Sequence, residues 1–376
     1  MEPLAPLWGR PRCRALGTGA LFCLFAAMDV WIGRAALQHP LGMDYLPLWT
    51  AMRSDPTRVY DFSYITHQQA WLYIGTLRPF VYPPTVLLVL APFGLLPYWF
   101  SYAAFVLSTG ALYLVATIRL GADWRVLLLP PIVFVAIAGQ VTFLVGGLVI
   151  LAASFRSRPI LAGFLYGIAG VIKPQILVLL PVALITEGSW STIFSTGAAA
   201  GILALASLAT GADWMAWLHA LLPFQKLVLG NQSLVADAIT PYIAWGRLGA
   251  LIAGCFAVGI VWLAFRTGDL SVRIIALCGG ALLLSPYAMN YELALLAPAV
   301  VVSRSPLRWP ATLLVGVGVI HYFGPLALIG ASGLAAHTIA SYPLQGDGLV
   351  PSAHPQNFPS QVRRVCSKLP RGSSQP

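Results

Sequence analysis

Long apolar segments recur along the whole chain, and two polar segments interrupt them. The apolar runs cover approximately residues 15–32, 84–97, 99–118, 126–155, 160–186, 190–210, 248–265, 272–289, 291–303 and 309–340. A helix needs about 20 apolar residues to cross a bilayer, so this pattern predicts roughly nine to eleven membrane-spanning helices. Several runs contain prolines, which a membrane helix tolerates only where the freed backbone groups are buried in protein or face a wet cavity.

The two polar segments, residues 34–81 and 211–247, mix charged side chains with tyrosine and tryptophan. That mixture is typical of the membrane interface. Three arginines precede the first apolar run, and positive residues favour the cytoplasmic side of a membrane. We therefore expect a cytoplasmic N-terminus and two larger extracytoplasmic loops. A cleaved signal peptide is the alternative for the first run, but that run is long for one and further spans follow.

The composition supports a polytopic all-α membrane protein. The 376 residues are 58% hydrophobic and 9% charged, whereas soluble domains carry about 25% charged residues. This excludes a soluble domain, a disordered chain, collagen and a disulfide scaffold. The 22 basic and 12 acidic residues give a net charge of +10, but no basic patch is interleaved with aromatics, so we expect no nucleic-acid partner. The five cysteines have no metal-ligand spacing.

The apolar runs together predict one transmembrane domain over residues 1–340. Residues 341–376 are rich in proline, serine, glutamine and arginine. Such a composition predicts a disordered tail.

Three ionisable residues stand out as candidates for chemistry. Asp44 lies among aromatic residues shortly after the first run, where a carboxylate can act as a base; capping a helix or pairing with Arg53 is the alternative. Lys173 lies inside an apolar run before Pro174, where an ammonium suits a phosphate; snorkelling to the interface is the alternative. Glu292 is either a second buried carboxylate or a loop residue, and His321 is interpreted as a hydrogen-bonded core residue.

Short motifs follow one another over residues 40–300. In chain order they are Asp44, Tyr60-Asp61, Phe80-Val81-Tyr82-Pro83-Pro84, Ala91-Pro92, Leu96-Pro97, Gly139-Gln140-Val141, Ile172-Lys173-Pro174-Gln175, Gly230-Asn231-Gln232-Ser233 and Ser285-Pro286. Taken in this order, the motifs resemble glycosyltransferase family 87, bacterial membrane enzymes of the GT-C superfamily related to polyprenol-phosphate-mannose-dependent mannosyltransferases. Thr142 stands where the family has asparagine after Gln-Val.

The resemblance implies a GT-C helix bundle in the bacterial inner membrane, with its site facing the periplasm. The donor would be a polyprenyl-phosphate sugar, such as a hexose like mannose, and the acceptor a glycan or glycolipid hydroxyl. Asp44 falls on the position of the catalytic base. We assign Lys173, and after it Arg78, to the donor phosphate, so neither a metal nor another cofactor is expected. The expected sugar and acceptor contacts are Tyr82, Gln140, Gln175, Asn231, Gln232, Asn290 and Glu292.

Three other functions fit parts of the pattern. A lipid or sugar transporter would explain Lys173 and the broken helices, but it would prefer a repeat symmetry that is missing here. A non-catalytic partner with the same fold would not require Asp44. A polymerase or ligase of lipid-linked glycans would take a diphosphate-linked donor.

Overall fold

A computed structural model describes residues 11–37, 41–72, 78–267 and 269–341, which form helices and contain no β-strand. The α-helices are α1 (Pro11–Ala36), α2 (Leu46–Arg53), α3 (Phe62–Gln69), α4 (Thr85–Gly94), α5 (Tyr98–Leu120), α6 (Pro130–Ala138), α7 (Thr142–Ser154), α8 (Pro159–Ile172), α9 (Leu180–Glu187), α10 (Trp190–Ala209), α11 (Trp214–Leu229), α12 (Gln232–Asp237), α13 (Pro241–Thr267), α14 (Leu270–Leu284), α15 (Ala297–Val302), α16 (Arg308–Val317) and α17 (Gly324–Ser341). Short 3₁₀ helices cover Trp124–Leu128, Pro174–Leu177 and Asn290–Leu295. The predicted tail beyond residue 341 lies outside the described residues.

Four helices are long and apolar enough to cross a membrane, judged by length and composition. They cover Gly19–Ala36, Tyr98–Leu120, Trp190–Ala209 and Trp245–Arg266. Shorter apolar helices of 10–17 residues lie at Thr85–Gly94, Thr142–Ser154, Pro159–Ile172, Pro174–Glu187 and Leu270–Leu284. The chain is thus an all-α polytopic membrane protein, as its sequence predicts, while the count of nine to eleven spans stays a prediction.

Several apolar runs that look continuous in the sequence are broken in the structure. The run 126–155 divides into α6 and α7 at Gly139, whose φ of +72° ends α6 in the left-handed region. The run 160–186 breaks at Lys173, because Pro174 cannot continue α8. The run 309–340 breaks between α16 and α17, and His321 lies in that break.

The interpretation of His321 as a core residue is wrong. Its side chain is 54% exposed and contacts Asp237. An apolar run around a histidine suggests burial, but the break between the two helices places this residue on a surface instead.

The first polar segment packs on the bundle. Tyr45, which precedes α2, is fully buried, and its ring stacks on Phe105 of α5 with centroids 4.8 Å apart. Its hydroxyl is hydrogen bonded to Ser101, also on α5. The segment is therefore fixed to α5 at the point where it carries Asp44.

The helices α8 and α10 pack at very short range. A Cβ atom on Gly167 would lie 2.6 Å from the Cβ of Ala199, and one on Gly163 would lie 2.6 Å from the carbonyl oxygen of Thr192. Small residues allow backbones to approach in a membrane, where dispersion contacts replace the hydrophobic effect as the force between helices.

An arginine cluster marks one end of the bundle. Arg156, after α7, and Arg273, in α14, both contact the same Glu187 oxygen at 2.5 Å. The guanidinium of Arg119, at the end of α5, lies over the ring of Phe155. Because α7 runs from Thr142 to this cluster over 13 residues, its other end lies about 20 Å away.

Candidate active site

A cavity of about 1130 Å³ lies at the end of the bundle opposite the arginine cluster. Nine of the ten predicted site residues line it: Asp44, Arg78, Tyr82, Gln140, Lys173, Gln175, Asn231, Asn290 and Glu292. Gln232 is the exception, because it is exposed in the first turn of α12 and does not line the cavity. Residues up to 248 positions apart in the chain thus meet around one space.

A tight turn carries Asp44 against the end of α6. Gly42 has a φ of +73°, and its N–H donates to the carbonyl of Ile137 at 2.9 Å. The N–H of Asp44 donates to the carbonyl of Ala138 at 3.0 Å. Gly139 allows this approach, since a Cβ there would lie 2.6 Å from the Cβ of Tyr45. The backbone therefore holds Asp44 next to Gln140, which follows Gly139.

Both carboxylate oxygens of Asp44 accept hydrogen bonds. Arg78 Nη1 donates to Oδ1 at 2.5 Å, and Gln140 Nε2 donates to Oδ2 at 2.7 Å. The Tyr82 hydroxyl donates to Gln140 Oε1 at 3.0 Å. Asp44 and Arg78 retain 23% and 24% of their side-chain exposure, so the pair is open to a molecule in the cavity. Arg78 Nε is buried and has no hydrogen-bond partner among the described residues.

The two structural alternatives for Asp44 do not hold. Arg53 donates to the carbonyl of Gly94 at 2.9 Å, so it is not the partner of Asp44. The residue at the N-terminal cap of α2 is Tyr45, and no side chain caps that helix. The carboxylate is thus free of a capping role and points to the cavity residues.

Lys173 and Glu292 form a buried ion pair on another wall. Lys173 Nζ donates to Glu292 Oε1, and the two side chains are only 8% and 3% exposed. Thr142, at the start of α7, donates to Glu292 Oε2 at 3.5 Å. The snorkelling alternative for Lys173 therefore does not apply, since its ammonium is buried. Glu292 is a buried carboxylate and not a loop residue exposed to solvent.

The family was established by comparison with known proteins. The model of glycosyltransferase family 87 matches residues 80–286, more than half of the chain. This chain belongs to glycosyltransferase family 87. The match includes Tyr82, Gln140, Lys173 and Asn231, whereas Asp44 lies before its start. No curated protein and no solved structure matches the chain.

The glycosyltransferase has a further polar group in its cavity that sequence reasoning missed. Asp237 Oδ1 accepts from His321 Nδ1 at 2.7 Å and from Asn290 Nδ2 at 3.0 Å. Burial raises the pKa of Asp237, and the contact with His321 opposes that rise. Only tertiary contacts join these residues, including the hydrogen bond from Tyr322 N–H to the Ala236 carbonyl. The sequence around Asp237 and around His321 does not predict that the two residues are in contact.

Asn231 and Gln175 occupy the rim of this site. Asn231 Oδ1 accepts from the backbone N–H groups of Ser233 and Leu234 at 3.0 and 3.3 Å, which caps α12. The side-chain oxygen of Asn231 is therefore occupied by backbone donors, and only its NH₂ group is left for a ligand. Gln175 lies half-buried in the 3₁₀ helix that follows Lys173.

Apolar walls flank the polar groups of the glycosyltransferase. The wall residues come from α1, α6 and α11: Trp31, Ile32, Ala35, Ala36, Phe134, Ile137, Trp217, Leu221, Leu222, Phe224 and Leu227. Trp31 and Leu222 are also 56% and 67% exposed. Because these two side chains line the cavity and are largely exposed, the cavity opens to the surface beside α11 and beside α1, which is a candidate membrane span.

No group of three His, Cys, Asp or Glu side chains within the described residues is arranged to hold a metal ion. The cations that line the cavity are Arg78 and Lys173, each paired with a carboxylate.

Proposed function

We propose that this glycosyltransferase transfers a sugar, a hexose such as mannose, from a polyprenyl-phosphate donor to a hydroxyl of a glycan or glycolipid. The observation that carries the proposal is the position of Asp44 in a cavity that combines cations with apolar walls. A lipid-linked anionic sugar needs all three features: a base for the acceptor, a cation for the phosphate and an apolar surface for the chain.

Asp44 is the base in this mechanism. The acceptor oxygen attacks the anomeric carbon, while the bond from that carbon to the phosphate oxygen breaks and its electron pair leaves with the phosphate. The acceptor proton passes to the carboxylate of Asp44 as the new glycosidic bond forms. Charge develops on the sugar ring in the transition state, so a nearby carboxylate also favours it electrostatically.

Arg78 and Lys173 are the candidates for the leaving phosphate. Arg78 retains an unpartnered buried Nε and is partly exposed to the cavity. Lys173 is held by Glu292, so binding a phosphate requires its ammonium to be shared between two anions. Preorganised cations of this kind stabilise a leaving anion without reorganisation at the moment of reaction. We assign sugar hydroxyls to Gln175, Asn231 and Asn290, whereas both oxygens of Glu292 are occupied by Lys173 and Thr142.

The extracytoplasmic face of the bacterial inner membrane is the proposed place of reaction. The cavity and the arginine cluster lie at opposite ends of α7 and α8, since both helices connect Thr142 and Lys173 to residues 156–159. Arginines favour the cytoplasmic side. The cavity then faces the periplasm, where polyprenyl-phosphate sugars serve as donors in place of soluble nucleotides.

The test is transfer from a panel of labelled polyprenyl-phosphate hexoses and pentoses to membrane lipids and glycans. Purified wild type is compared with Asp44→Asn, which keeps the shape of the side chain and removes its basicity. Transfer from one donor that disappears in the variant supports the enzyme, its donor and its base together. Transfer that survives in Asp44→Asn moves the base elsewhere. Absence of transfer from every donor by folded protein favours a transporter or a non-catalytic partner.

A further inference from the structure

Gln140 and Tyr82 are joined to Asp44 in a single hydrogen-bonded line. Tyr82 donates to one end of the Gln140 amide at 3.0 Å, and the other end of the amide donates to Asp44 at 2.7 Å. Gln140 as a whole residue is only 3% exposed. A buried amide with both ends occupied by protein has little left with which to recognise a sugar.

We propose that Tyr82 and Gln140 are positioning residues that act on the reaction through Asp44, and not sugar-binding residues. This inference rests on the proposed role of Asp44 as base. It assigns Tyr82 the task of fixing which end of the Gln140 amide faces the carboxylate, and it assigns Gln140 the task of orienting Asp44 Oδ2.

The polarity of the line follows from its two ends. An ionised carboxylate only accepts hydrogen bonds, so the amide must turn its NH₂ toward Asp44. The amide carbonyl then faces Tyr82, whose hydroxyl must donate. Burial raises the pKa of Tyr82 well above its usual value, and the charges of Asp44 and Glu292 raise it further. The phenol therefore keeps its proton and remains a donor.

Without the Tyr82 hydroxyl, the amide loses one of the two contacts that hold it in this orientation, and only the carboxylate of Asp44 still favours the NH₂ end. A rotated amide would place its carbonyl oxygen against the carboxylate, which is repulsive and displaces the base. Arg78 would still hold Oδ1, so Asp44 would keep its charge but lose its fixed orientation. Reaction rates are sensitive to such displacement, and a misplacement of about 1 Å can cost about a hundredfold.

The experiment is a double-mutant cycle on the full-length enzyme with Tyr82→Phe, Gln140→Met and the combined variant. We expect kcat to fall about tenfold in Tyr82→Phe, the effect of one hydrogen bond, and about a hundredfold in Gln140→Met. The combined variant should equal Gln140→Met alone, because Tyr82 acts only through Gln140. The KM for the donor should stay unchanged in all three proteins.

The pH profile gives a second readout that a purely structural role would not move. A hydrogen bond to the charged form of an acid favours that form, so losing the Gln140 amide should move the acidic limb of kcat to higher pH. The groups that face Asp44 and persist in the variants are Arg78, Tyr98, Tyr287, Tyr291 and Asp237. Because these are common to every variant, a difference in the limb reports the amide alone.

Tyr113→Phe is the matched control. It removes a buried tyrosine hydroxyl that donates to the carbonyl of Ala294, but Tyr113 does not line the cavity, so kcat and its pH profile should not change. Additive losses of about a thousandfold in the combined variant, or a raised donor KM in Tyr82→Phe, would overturn the positioning role. Full activity of Asp44→Asn in the same assay would instead show that the base assignment itself is wrong.

Discussion

Removing Lys173 alone should cost far more stability than removing both members of its ion pair. In Lys173→Met, the buried carboxylate of Glu292 loses its counter-charge and faces the Thr142 hydroxyl at 3.5 Å. Breaking one side of a buried pair costs about 3–5 kcal/mol of the free energy of unfolding, whereas replacing both with apolar groups is often neutral. We therefore expect Lys173→Met to be strongly destabilised and Lys173→Met/Glu292→Met to unfold near the wild-type temperature.

Thermal unfolding in detergent, followed by tryptophan fluorescence, measures the difference. One kcal/mol shifts the midpoint by about 2–4 °C in a chain of 150–250 residues. This chain is longer, so the single variant should lose up to about 10 °C. Lys226→Met is the matched control, because Lys226 is exposed on α11 and its loss should cost under about 0.5 kcal/mol. A single variant as stable as the double variant would refute the argument from an uncompensated buried charge.

Transfer activity of the same proteins separates packing from catalysis. If Lys173 binds the donor phosphate, the double variant recovers stability and stays inactive. If stability and activity both return, Lys173 serves only the fold, and Arg78 is left as the cation for the leaving group.

Three further variants test separate parts of the structure. Gly139→Ala should lower the unfolding midpoint more than Gly188→Ala, because both glycines are left-handed but only the first would place a Cβ against Tyr45; equal midpoints would contradict this steric account. Asp213→Ala removes the side chain that caps α11 by accepting from the Ala216 N–H at 2.8 Å, which should destabilise that helix by about 0.5–2 kcal/mol. The amides of α11 should then exchange hydrogen faster, and unchanged exchange would contradict the role of this cap. His321→Ala removes a contact that lowers the pKa of the partly buried Asp237, so the loss of stability should be small at acid pH. The loss should grow as the pH rises through that pKa, and midpoints that differ equally at every pH would exclude this linkage.

The sequence predicts individual helices and candidate site residues of this protein better than it predicts which residues contact each other. The limits of α5 and α10 follow from apolar runs at 99–118 and 190–210, because each run has the length of one span. Asp44 and Lys173 stand out because ionisable residues are rare beside apolar runs. Gln140 and Glu292 are also candidates, but the sequence does not show which residue each contacts, since Gln140 is 96 positions from Asp44 and Glu292 is 119 positions from Lys173.

Long-range packing decides the features that sequence reasoning misses. Asp237 and His321 lie close together where the segments around Ala236 and Tyr322 are joined by a backbone hydrogen bond. The break that exposes His321 interrupts an apolar run, so hydropathy alone suggests a continuous helix; Pro325, in the first turn of α17, is the one local signal of a new helix start. Gln232 and Asn231 are neighbours in one polar turn, yet only Asn231 reaches the cavity.

The opening of the cavity beside Trp31 and Leu222 determines which donor concentration governs the rate of this enzyme. A lipid-linked donor would enter a cavity that opens beside a candidate membrane span by diffusing within the plane of the membrane. The relevant concentration is then the mole fraction of donor in the membrane or micelle, not its molarity in the whole sample. Adding inert detergent at constant total donor should slow the reaction by dilution within the surface phase. Rates compared between laboratories will agree only when that ratio is held constant.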